Sequence, residues 1–388
     1  MDTMAASSEA ELADRLRRLL ERAVDRGRYV RHALLAVAAV DGSWSWEGGH
    51  GVLDEDGTPA GPMARYPIAS VTKLATAAVA MRAVERGALT LSDRLVDLLP
   101  AQQHRGLHII DGVDRTGEIT IQHLLGHTSG LPDYYDQAPR GGSSPQTRLL
   151  AGEDVPFPYE EVLRTVRDEQ TPHFPPQDLQ APKAKARYAD TNFQLLGAVV
   201  EAVDKRPLRE VFTDDLFMPL GLDDTSSYPN RPRSRRSPEP DACVWSKDVV
   251  LQPEGMLTTQ VPDGGMVSTV ADQVAFLRAL VTGAAFDDPK TWERMCSRWH
   301  RVMFPIEYGL GVMRYAPSRW MNLGAAVPGV VGHTGSTATW LFHAPSLDVI
   351  VAGAFDVAQP SLPFRFVPQV LRAVTSARRT CARSDGGR

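Results

Sequence analysis

The stretch Tyr66-Pro-Ile-Ala-Ser-Val-Thr-Lys-Leu-Ala-Thr-Ala-Ala-Val-Ala-Met81 places a serine hydroxyl and a lysine amine one helical turn apart. Ser70 and Lys73 are separated by three residues, so on a helix their side chains share a face. The spacing predicts a helix that is mostly buried behind this pair. Its apolar positions are Leu74, Ala77, Ala78, Met81 and Val84.

The lysine of this pair is the predicted activator of the serine. Burial disfavours the ammonium form and lowers the pKa of a lysine, so we expect Lys73 to accept the proton of Ser70 near neutral pH. The helix N-terminus adds free backbone N–H groups and the positive end of the helix dipole beside Ser70. On this stretch alone, a capping serine with a lysine that extends to solvent remains an alternative.

Two further motifs follow in the chain, Arg187-Tyr188-Ala-Asp190-Thr-Asn192 and Val330-Val-Gly-His333-Thr334-Gly335-Ser336. Tyr188 opens an apolar helical pattern, where a tyrosine by itself would be explained by core packing. The residues around His333 are typical of a strand, and a second β-rich run extends from Leu347 to Phe355. We expect a hairpin here, at the edge of a sheet and lining a cleft.

The order of these motifs resembles that of the serine beta-lactamases and penicillin-binding proteins, which carry S-x-x-K, then Y-x-N or S-x-N, then K-T-G. The tyrosine in the second motif is similar to the class C branch, which includes esterases, D-aminopeptidases and acyltransferases. The resemblance covers about residues 33 to 376. It implies an α/β (α+β) fold, with an antiparallel sheet flanked by helices and an inserted all-helical lobe.

The resemblance also implies roles for single residues. Ser70 would be the nucleophile, and Lys73 and Tyr188 would move its proton to the leaving group through an acyl-enzyme mechanism. The backbone N–H groups of Ser70 and Ser336 would form an oxyanion hole, each donor contributing about 3 kcal/mol. The implied substrate-binding residues are Asp190, His333, Thr334 and Gly335.

Two residues depart from the beta-lactamase pattern. His333 replaces the lysine of K-T-G, and an imidazole with a pKa of about 6.5 is mostly neutral at pH 7, so a fixed cation for the carboxylate of a lactam is missing. Asp190 replaces the asparagine of the second motif and offers no amide donor when ionised. Both changes argue against efficient penicillin or cephalosporin hydrolysis.

A second His-Thr-x-Gly sequence, His127-Thr128-Ser129-Gly130, resembles the third motif. It follows the short helical pattern from Thr120 to Leu125, so we interpret it as a loop. His123 and His127 are four residues apart, but the glutamate of H-E-x-x-H and a third ligand are missing. The sequence therefore predicts no metal and no cofactor.

Composition favours a globular enzyme. The chain has 388 residues, 43% hydrophobic content and a net charge of −5, which gives no basic bias toward nucleic acid. The N-terminus lacks the pattern of a signal peptide, and no segment is apolar enough to span a membrane. Three scattered cysteines suit a reducing compartment. We expect a cytoplasmic protein that binds neither nucleic acid nor membrane; its oligomeric state is not indicated.

The predicted architecture is a single catalytic domain over residues 1–388. Residues 33–40 and 43–50 predict a hairpin that turns at Asp41-Gly42 and pairs with strands from about 308 to 356. The predicted α/β lobe takes residues 28–69 and 296–378, including a last helix from Pro363 to Arg378. A helical lobe takes residues 70–295 and a polar tail takes residues 379–388, with Ser70 at the seam between the lobes.

Two long irregular stretches remain. Residues 132–187 are rich in proline around one helical piece, Tyr159 to Glu169, and we expect them to form the substrate-selecting wall. Tyr134, Tyr135 or Phe174 would contact the acyl group. Residues 228–240 carry four arginines, which we interpret as a solvated charged segment.

The sequence therefore predicts a serine hydrolase that acts on a small-molecule ester or amide. Three alternatives stay open: an acyltransferase with the same acyl-enzyme, a D-amino acid amidase or peptidase, and a catalytically silent binding domain. The last is disfavoured because Ser70, Lys73 and Tyr188 are all present.

Overall fold

The computed structural model describes residues 6–181, 183–228, 241–251, 254–317 and 327–385, with side chains from Ser8 to Arg379. The arginine-rich segment predicted to be solvated lies almost wholly outside these ranges. No helix in the described ranges combines the length and the apolar character needed to cross a membrane.

Helices lie at both ends of the described chain and dominate the region between. In chain order they are α1 (Ala6–Asp25), α2 (Thr72–Glu85), α3 (Leu95–Leu98), α4 (Ala101–His104), α5 (Ile121–Leu125), α6 (Pro145–Leu150), α7 (Tyr159–Arg164), α8 (Asp190–Asp204), α9 (Leu208–Phe212), α10 (Met218–Leu220), α11 (Glu254–Thr259), α12 (Val270–Thr282), α13 (Thr291–Met295) and α14 (Pro363–Asp385). Short 3-10 turns at Ala69–Val71 and Thr116–Glu118 precede α2 and α5, and π-helical turns at Thr165–Glu169 and Thr213–Phe217 follow α7 and α9.

The strands are concentrated near the two ends of the chain. In chain order they are β1 (His32–Ala39), β2 (Ser45–Gly51), β3 (Tyr66–Pro67), β4 (Ile109–Ile110), β5 (Val113–Asp114), β6 (Ser226–Ser227), β7 (Val244–Ser246), β8 (Val249–Leu251), β9 (Met266–Ser268), β10 (His300–Met303), β11 (Ile306–Tyr308), β12 (Met313–Tyr315), β13 (Val330–Thr334), β14 (Thr339–Ala344) and β15 (Val349–Phe355).

One antiparallel sheet of eight strands joins the two ends of the chain. Its order is β10-β11-β12-β13-β14-β15-β1-β2, so β1 lies between the C-terminal strand β15 and its own hairpin partner β2. The predicted hairpin over residues 33–50 is thereby confirmed, with Gly42 at a φ of 75° in its turn. Such a turn favours glycine, which has no Cβ to clash at positive φ.

Helices cover both faces of this sheet. Every residue of β1 is buried, because alternate side chains enter two separate cores. Leu35 packs with apolar residues of α1 and α14, whereas Leu34 packs in the larger core that contains α2, α8 and α12. The predicted antiparallel sheet flanked by helices is therefore confirmed.

Several boundaries differ from the prediction. β13 is not an edge strand, because β12 pairs on one side of it and β14 on the other. The inserted region is not all-helical, since it contains the short pairs β4–β5 and β7–β8 and the strands β6 and β9, which form a small sheet with β3 from the preceding segment. These strands have only two or three residues, too few for an alternating pattern to be recognised.

The lobes also exchange elements at their boundaries. α12 belongs to the predicted helical lobe but packs on β15, β1 and β14, and α1, which precedes the predicted α/β lobe, packs on β1 and β2. α14 begins at the predicted Pro363 but continues to Asp385, into the segment predicted as a polar tail. Its alanine and arginine residues are good helix formers, which explains the extension.

Candidate active site

Ser70 lies where the helical region meets the large sheet. It is half-buried in the 3-10 turn Ala69–Val71, which leads directly into α2. This turn packs on β13 and β14, and the hydroxyl of Thr339 donates a hydrogen bond of 2.9 Å to the carbonyl of Ile68. Ala69 has a φ of 46°, a left-handed conformation that costs about 1–3 kcal/mol for a residue with a Cβ. The contacts with the sheet hold the turn in this strained form.

Lys73 is fully buried and donates hydrogen bonds to three different acceptors. Its Nζ lies 3.1 Å from Ser70 Oγ and 2.7 Å from the carbonyl oxygen of Asp263, and it forms an ion pair with the carboxylate of Asp190. An ammonium has three hydrogens, so the group is fully satisfied. In this state Ser70 Oγ accepts a hydrogen from Lys73.

The predicted lowering of the pKa of Lys73 is wrong. Burial does act in that direction, but the carboxylates of Asp190 and Asp263 outweigh it, and the pKa of Lys73 is raised. Burial alone gave the predicted direction; the pairing with Asp190 opposes it most strongly, and Asp263, 190 positions after Lys73 in the chain, adds to that effect. Lys73 is therefore an ammonium in the resting site.

Tyr188 lies just before α8, beside this cluster. Its ring centroid is 5.2 Å from Lys73 Nζ, and its hydroxyl has no strong hydrogen bond among the described residues. Burial and the carboxylate of Asp190 raise the pKa of Tyr188 well above its ordinary value, and the neighbouring hydroxyl of Ser70 offsets only part of this. The phenol is consequently protonated at rest.

His333, at the end of β13, is buried and neutral. Its Nδ1 lies 2.7 Å from the carbonyl oxygen of Thr334, which can only accept, so Nδ1 carries the hydrogen. Its Nε2 therefore accepts from the hydroxyl of Tyr308 at 2.8 Å. Burial and the charge of Lys73 lower the pKa of His333 to about 3. The imidazole supplies no positive charge to the cleft.

Gly335 and Ser336 continue from β13 across the turn of Ser70. A Cβ on Gly335 would lie 2.8 Å from the Cβ of Ala69 and 2.9 Å from the carbonyl oxygen of Ile68, and closer still to the hydroxyl of Thr339. Only glycine permits so close an approach, which brings Ser336 into the same cavities as Ser70. Gly335 thus shapes the site through its missing side chain.

Tyr134 and Tyr135 differ in position, although both were expected to contact the acyl group. Tyr135 lines the cavities beside Ser70. Tyr134 is buried behind them, where its ring stacks on Phe157 and its hydroxyl donates a 2.9 Å hydrogen bond to Asp263 Oδ2. The expectation that Tyr134 contacts the substrate is therefore wrong, because the segment after Pro132 turns this side chain into the core.

Three further residues of the site were not identified from the sequence. Asp263 lies next to Lys73, and burial raises its pKa to about 8. Tyr308 donates to His333 from β11. His127 packs its ring against Tyr188 with a centroid distance of 4.5 Å; its His-Thr-x-Gly motif, which we interpreted as a loop, was a signal that could have identified it.

Two cavities meet at Ser70. The smaller holds about 40 Å³ and is mostly apolar. The larger holds about 390 Å³ and has two different walls. One wall is apolar and consists mainly of Val302, Met303, Ile306, Met313 and Phe364. The other carries the carboxyl groups of Asp133, Asp136 and Asp190, and none of the described residues that line this cavity is a lysine or an arginine.

The two histidines considered for a metal point to different partners. His123 Nδ1 accepts from the backbone N–H of Thr120, and its Nε2 donates to the carbonyl oxygen of Gln177 at 2.7 Å. His127 Nδ1 faces Ala189 and Asn192 instead. Within the described residues, histidine, cysteine and carboxylate side chains form no group of three arranged to hold a metal ion.

Comparison with known proteins gives the same family from several directions. The family model "Beta-lactamase" matches residues 14–372. Penicillin-binding protein 4 of Amycolatopsis lactamdurans is 29% identical over 226 residues, which cover 54% of this chain and 49% of that protein. Esterase EstB of Burkholderia gladioli is 30% identical over 266 residues, which cover 66% of this chain and 63% of EstB.

The likeness extends to solved structures. A D-stereospecific amidohydrolase from Streptomyces sp. superimposes with a TM-score of 0.70 at 23% identity, covering 91% of this chain and 97% of the other. At this identity the match shows a shared fold. The chain spans about half the length of the penicillin-binding protein that it matches.

Proposed function

Because the chain belongs to the beta-lactamase family, we propose that it is a serine hydrolase that forms an acyl-enzyme on Ser70 with a small-molecule ester or amide and then hydrolyses it. The observation that carries the proposal is the 3.1 Å hydrogen bond between Lys73 Nζ and Ser70 Oγ, with Tyr188 beside it, at the meeting point of two cavities. A nucleophile in contact with a buried amine is the arrangement that acyl transfer requires.

The protonation states of Lys73 and Tyr188 determine how the first step begins. At rest both Lys73 and Tyr188 hold their protons, so the network must lose one proton before it can accept that of Ser70. Once a proton has left, the coupled pair of Lys73 and Tyr188 takes the serine proton as Oγ attacks the acyl carbonyl. The phenol of Tyr188 then protonates the leaving group, which leaves the pair ready to accept again. In the second step the pair takes a proton from the attacking water and returns it to Ser70 Oγ as the bond between Oγ and the acyl group breaks.

The oxyanion of the tetrahedral intermediate needs two convergent donors. We assign this role to the backbone N–H groups of Ser70 and Ser336, which the close approach at Gly335 supports. A donor of this kind contributes about 3 kcal/mol to transition-state stabilisation, or on the order of 100-fold in rate. His333, Thr334 and Asp190 would line the substrate site, since all three border the larger cavity.

The larger cavity also favours a particular substrate chemistry. Burial and the nearby Asp190 raise the pKa of Asp133, which lies in the wall beside Asp136 and has no ion pair with a described lysine or arginine. The described lining of this cavity offers a carboxylate substrate no lysine or arginine with which to pair. An acyl group that carries an amine and an apolar side chain would complement this lining. A D-amino acid amidase is therefore the second candidate, and the Streptomyces protein of the same fold is a D-stereospecific amidohydrolase.

Intact mass spectrometry tests the proposal directly. Wild type and Ser70→Ala are exposed briefly to a short-chain activated ester, to D- and L-alanine p-nitroanilide, and to a chromogenic cephalosporin. We expect an acyl adduct on wild type only, which decays in water, with the cephalosporin slowest because no fixed cation awaits its carboxylate. Faster labelling by the D-anilide than by the ester would select the amidase, and absence of any adduct or turnover would contradict the hydrolase.

Two further expectations belong to the same proposal. Release of the acyl group that accelerates with added alcohol, giving a new ester, would identify an acyltransferase in place of a hydrolase.

A cytoplasmic location stays a prediction of the sequence, and a fluorescent fusion compared with a secreted control checks it.

A further inference from the structure

His127 contacts the backbone on both sides of Tyr188. Its carbonyl oxygen accepts a 2.9 Å hydrogen bond from the N–H of Arg187, and its Nδ1 accepts a 3.2 Å hydrogen bond from the N–H of Ala189. These two residues flank Tyr188 directly. One histidine therefore fixes the chain before and after the tyrosine.

The imidazole also contacts the phenol ring itself. The two ring centroids are 4.5 Å apart at an interplanar angle of 34°, and the ring of Tyr308 makes an edge contact with the histidine at 4.4 Å. His127 is fully buried and adopts a φ of 54°. A non-glycine residue in this conformation costs about 1–3 kcal/mol, so the surrounding contacts must hold it there.

A chain of hydrogen bonds sets the form of the imidazole. Ser129 Oγ accepts a hydrogen bond from the N–H of Leu131, and the Ser129 hydroxyl donates its own hydrogen to Asn192 Oδ1 at 2.6 Å. The amide nitrogen of Asn192 therefore faces His127 Nδ1 at 3.1 Å. With two donors directed at Nδ1, the hydrogen of the imidazole must lie on Nε2.

This arrangement requires a neutral ring. A proton on Nδ1 would remove the acceptor for both Ala189 and Asn192. Burial, followed by the charge of Lys73, lowers the pKa of His127 well below its usual range. The contacts around Tyr188 are thus maintained across the ordinary pH range.

From this geometry we propose that His127 is a positioning residue that holds Tyr188 at the distance from Ser70 at which it can pass a proton. His127 itself touches no substrate, since it lines neither cavity. Proton transfer depends steeply on geometry, and a displacement of about 1 Å in an active site costs on the order of 100-fold in rate. The inference rests on the proposed role of Tyr188.

A double-mutant cycle tests the inference. The four proteins are wild type, His127→Ala, Tyr188→Phe and the double variant, assayed with the activated ester that labels wild type fastest. We expect His127→Ala alone to lower kcat about 10- to 100-fold with KM within about twofold. In the Tyr188→Phe background the same substitution should change kcat by less than about twofold, because no hydroxyl remains to be positioned.

His123→Ala is the matched control. His123 lies one helical turn earlier and binds Thr120 and Gln177, so kcat should stay within about twofold of wild type. If His127→Ala does not fold, as judged by its near-UV circular dichroism, His127→Gln replaces it in the cycle, with an amide oxygen that can accept from Ala189. We expect His127→Gln to lower kcat in the wild-type background and to change it by less than about twofold in the Tyr188→Phe background.

The outcomes separate the two proposals. Equal fold-losses from the His127 substitution in both backgrounds would overturn the positioning role while leaving the hydrolase intact. Full activity of Tyr188→Phe would instead contradict the proposed role of Tyr188 in proton transfer, and with it the positioning role of His127. Thermal melts of all four proteins establish that a common loss of structure does not produce the coupling.

Discussion

Lys73 is held by one acceptor from its own helical turn and by two from distant parts of the chain. Ser70 precedes it by one turn, Asp190 begins α8, and Asp263 offers a backbone carbonyl. A buried cation with a directly paired carboxylate keeps its proton. The chemical step must therefore work against the stability of this ion pair, and the pH dependence of the reaction should reveal it.

Replacing Asp190 by asparagine should shift that pH dependence. Asp190→Asn removes a carboxylate that raises the pKa of Lys73 and of Tyr188, so both groups should lose a proton more readily. We expect the acid limb of the profile of kcat/KM against pH to move to lower pH, by about one to three units. Stopped-flow acylation between pH 5 and 10 measures the limb.

Asp97→Asn provides the control for this shift. Asp97 is exposed and pairs with Arg94 on the surface, so its removal should leave the acid limb in place. If the acid limb of the profile of kcat/KM against pH does not move in Asp190→Asn, the ion pair does not control the protonation of Lys73 and Tyr188.

Residues that share a short stretch of sequence were predictable, and residues brought together by folding were not. The spacing of Ser70 and Lys73 indicated a common helical face, and Tyr188 was recognised from its motif. Asp263 and Tyr308 carry no local signal, because a lone aspartate or tyrosine has many possible environments. The pKa of Lys73 was predicted with the wrong sign because the pairing with Asp190, to which Asp263 adds, was not weighed against burial.

At the level of elements, the site depends on how closely β13 approaches the 3-10 turn that bears Ser70. The Gly335 backbone is the point of contact, and the hydroxyl of Thr339 bonds to the same turn from β14. The sheet and the helical region are thus joined at the nucleophile itself. Small displacements of either element should change the reaction before they change the fold.

Gly335→Ala should separate these two elements. The added Cβ would meet the Ile68 carbonyl at 2.9 Å and the Cβ of Ala69 at 2.8 Å, so the backbone must shift. We expect a loss of about 1–3 kcal/mol in the free energy of unfolding and at least about 100-fold in kcat/KM, measured by urea denaturation and ester hydrolysis.

Gly117→Ala is the matched substitution. Gly117 is exposed, and a Cβ there would meet no atom within 4 Å, so both quantities should stay close to those of wild type. Wild-type activity in Gly335→Ala would show that the close approach is not required at the nucleophile.

Long, regular elements were predicted well from their pattern. The hairpin of β1 and β2, the strands β13 to β15 and the helix after Tyr188 all have several residues in register with one periodicity. β10 to β12 have three or four residues each, and their pairing depends on neighbours in the sheet. Because this pairing was not predicted, β13 was predicted as an edge strand although it lies inside the sheet.

Over the whole molecule, the large sheet lies between two layers of helices, and the protonation of polar groups buried in it makes the stability of the fold depend on pH. His32 begins β1 and is almost fully buried, with its Nδ1 donating to the carbonyl oxygen of Val52 at 3.0 Å. Burial lowers the pKa of His32 to about 4, although the hydrogen bond to Val52 opposes this. The folded protein therefore keeps this ring neutral where the unfolded chain would protonate it.

The protein should consequently lose stability in mild acid. Between pH 6.5 and 4 the unfolded chain binds a proton at His32 that the folded chain rejects, so the free energy of unfolding falls as pH falls. His32 should account for about 2 kcal/mol of the loss between pH 7 and 5. Urea denaturation at pH 7 and pH 5 gives the change in the free energy of unfolding for each protein, and we compare this change between wild type and His32→Gln.

The variant has no imidazole to protonate at this position, so its unfolding free energy should depend less on pH. Equal changes in the two proteins between pH 7 and 5 would contradict the assignment to His32. Lower stability of the variant at pH 7 does not affect the comparison, since each protein serves as its own reference.

The position of β1 in the middle of the sheet has a consequence for synthesis on the ribosome. Ala33 pairs with Phe355, so one long flank of β1 stays without its native partner until almost the whole chain has been made. At about 5–20 residues per second, this interval lasts on the order of 15–60 s. Throughout it an apolar strand with a free edge is open to non-native pairing, so the nascent chain should depend on chaperones that shield the β1–β2 hairpin.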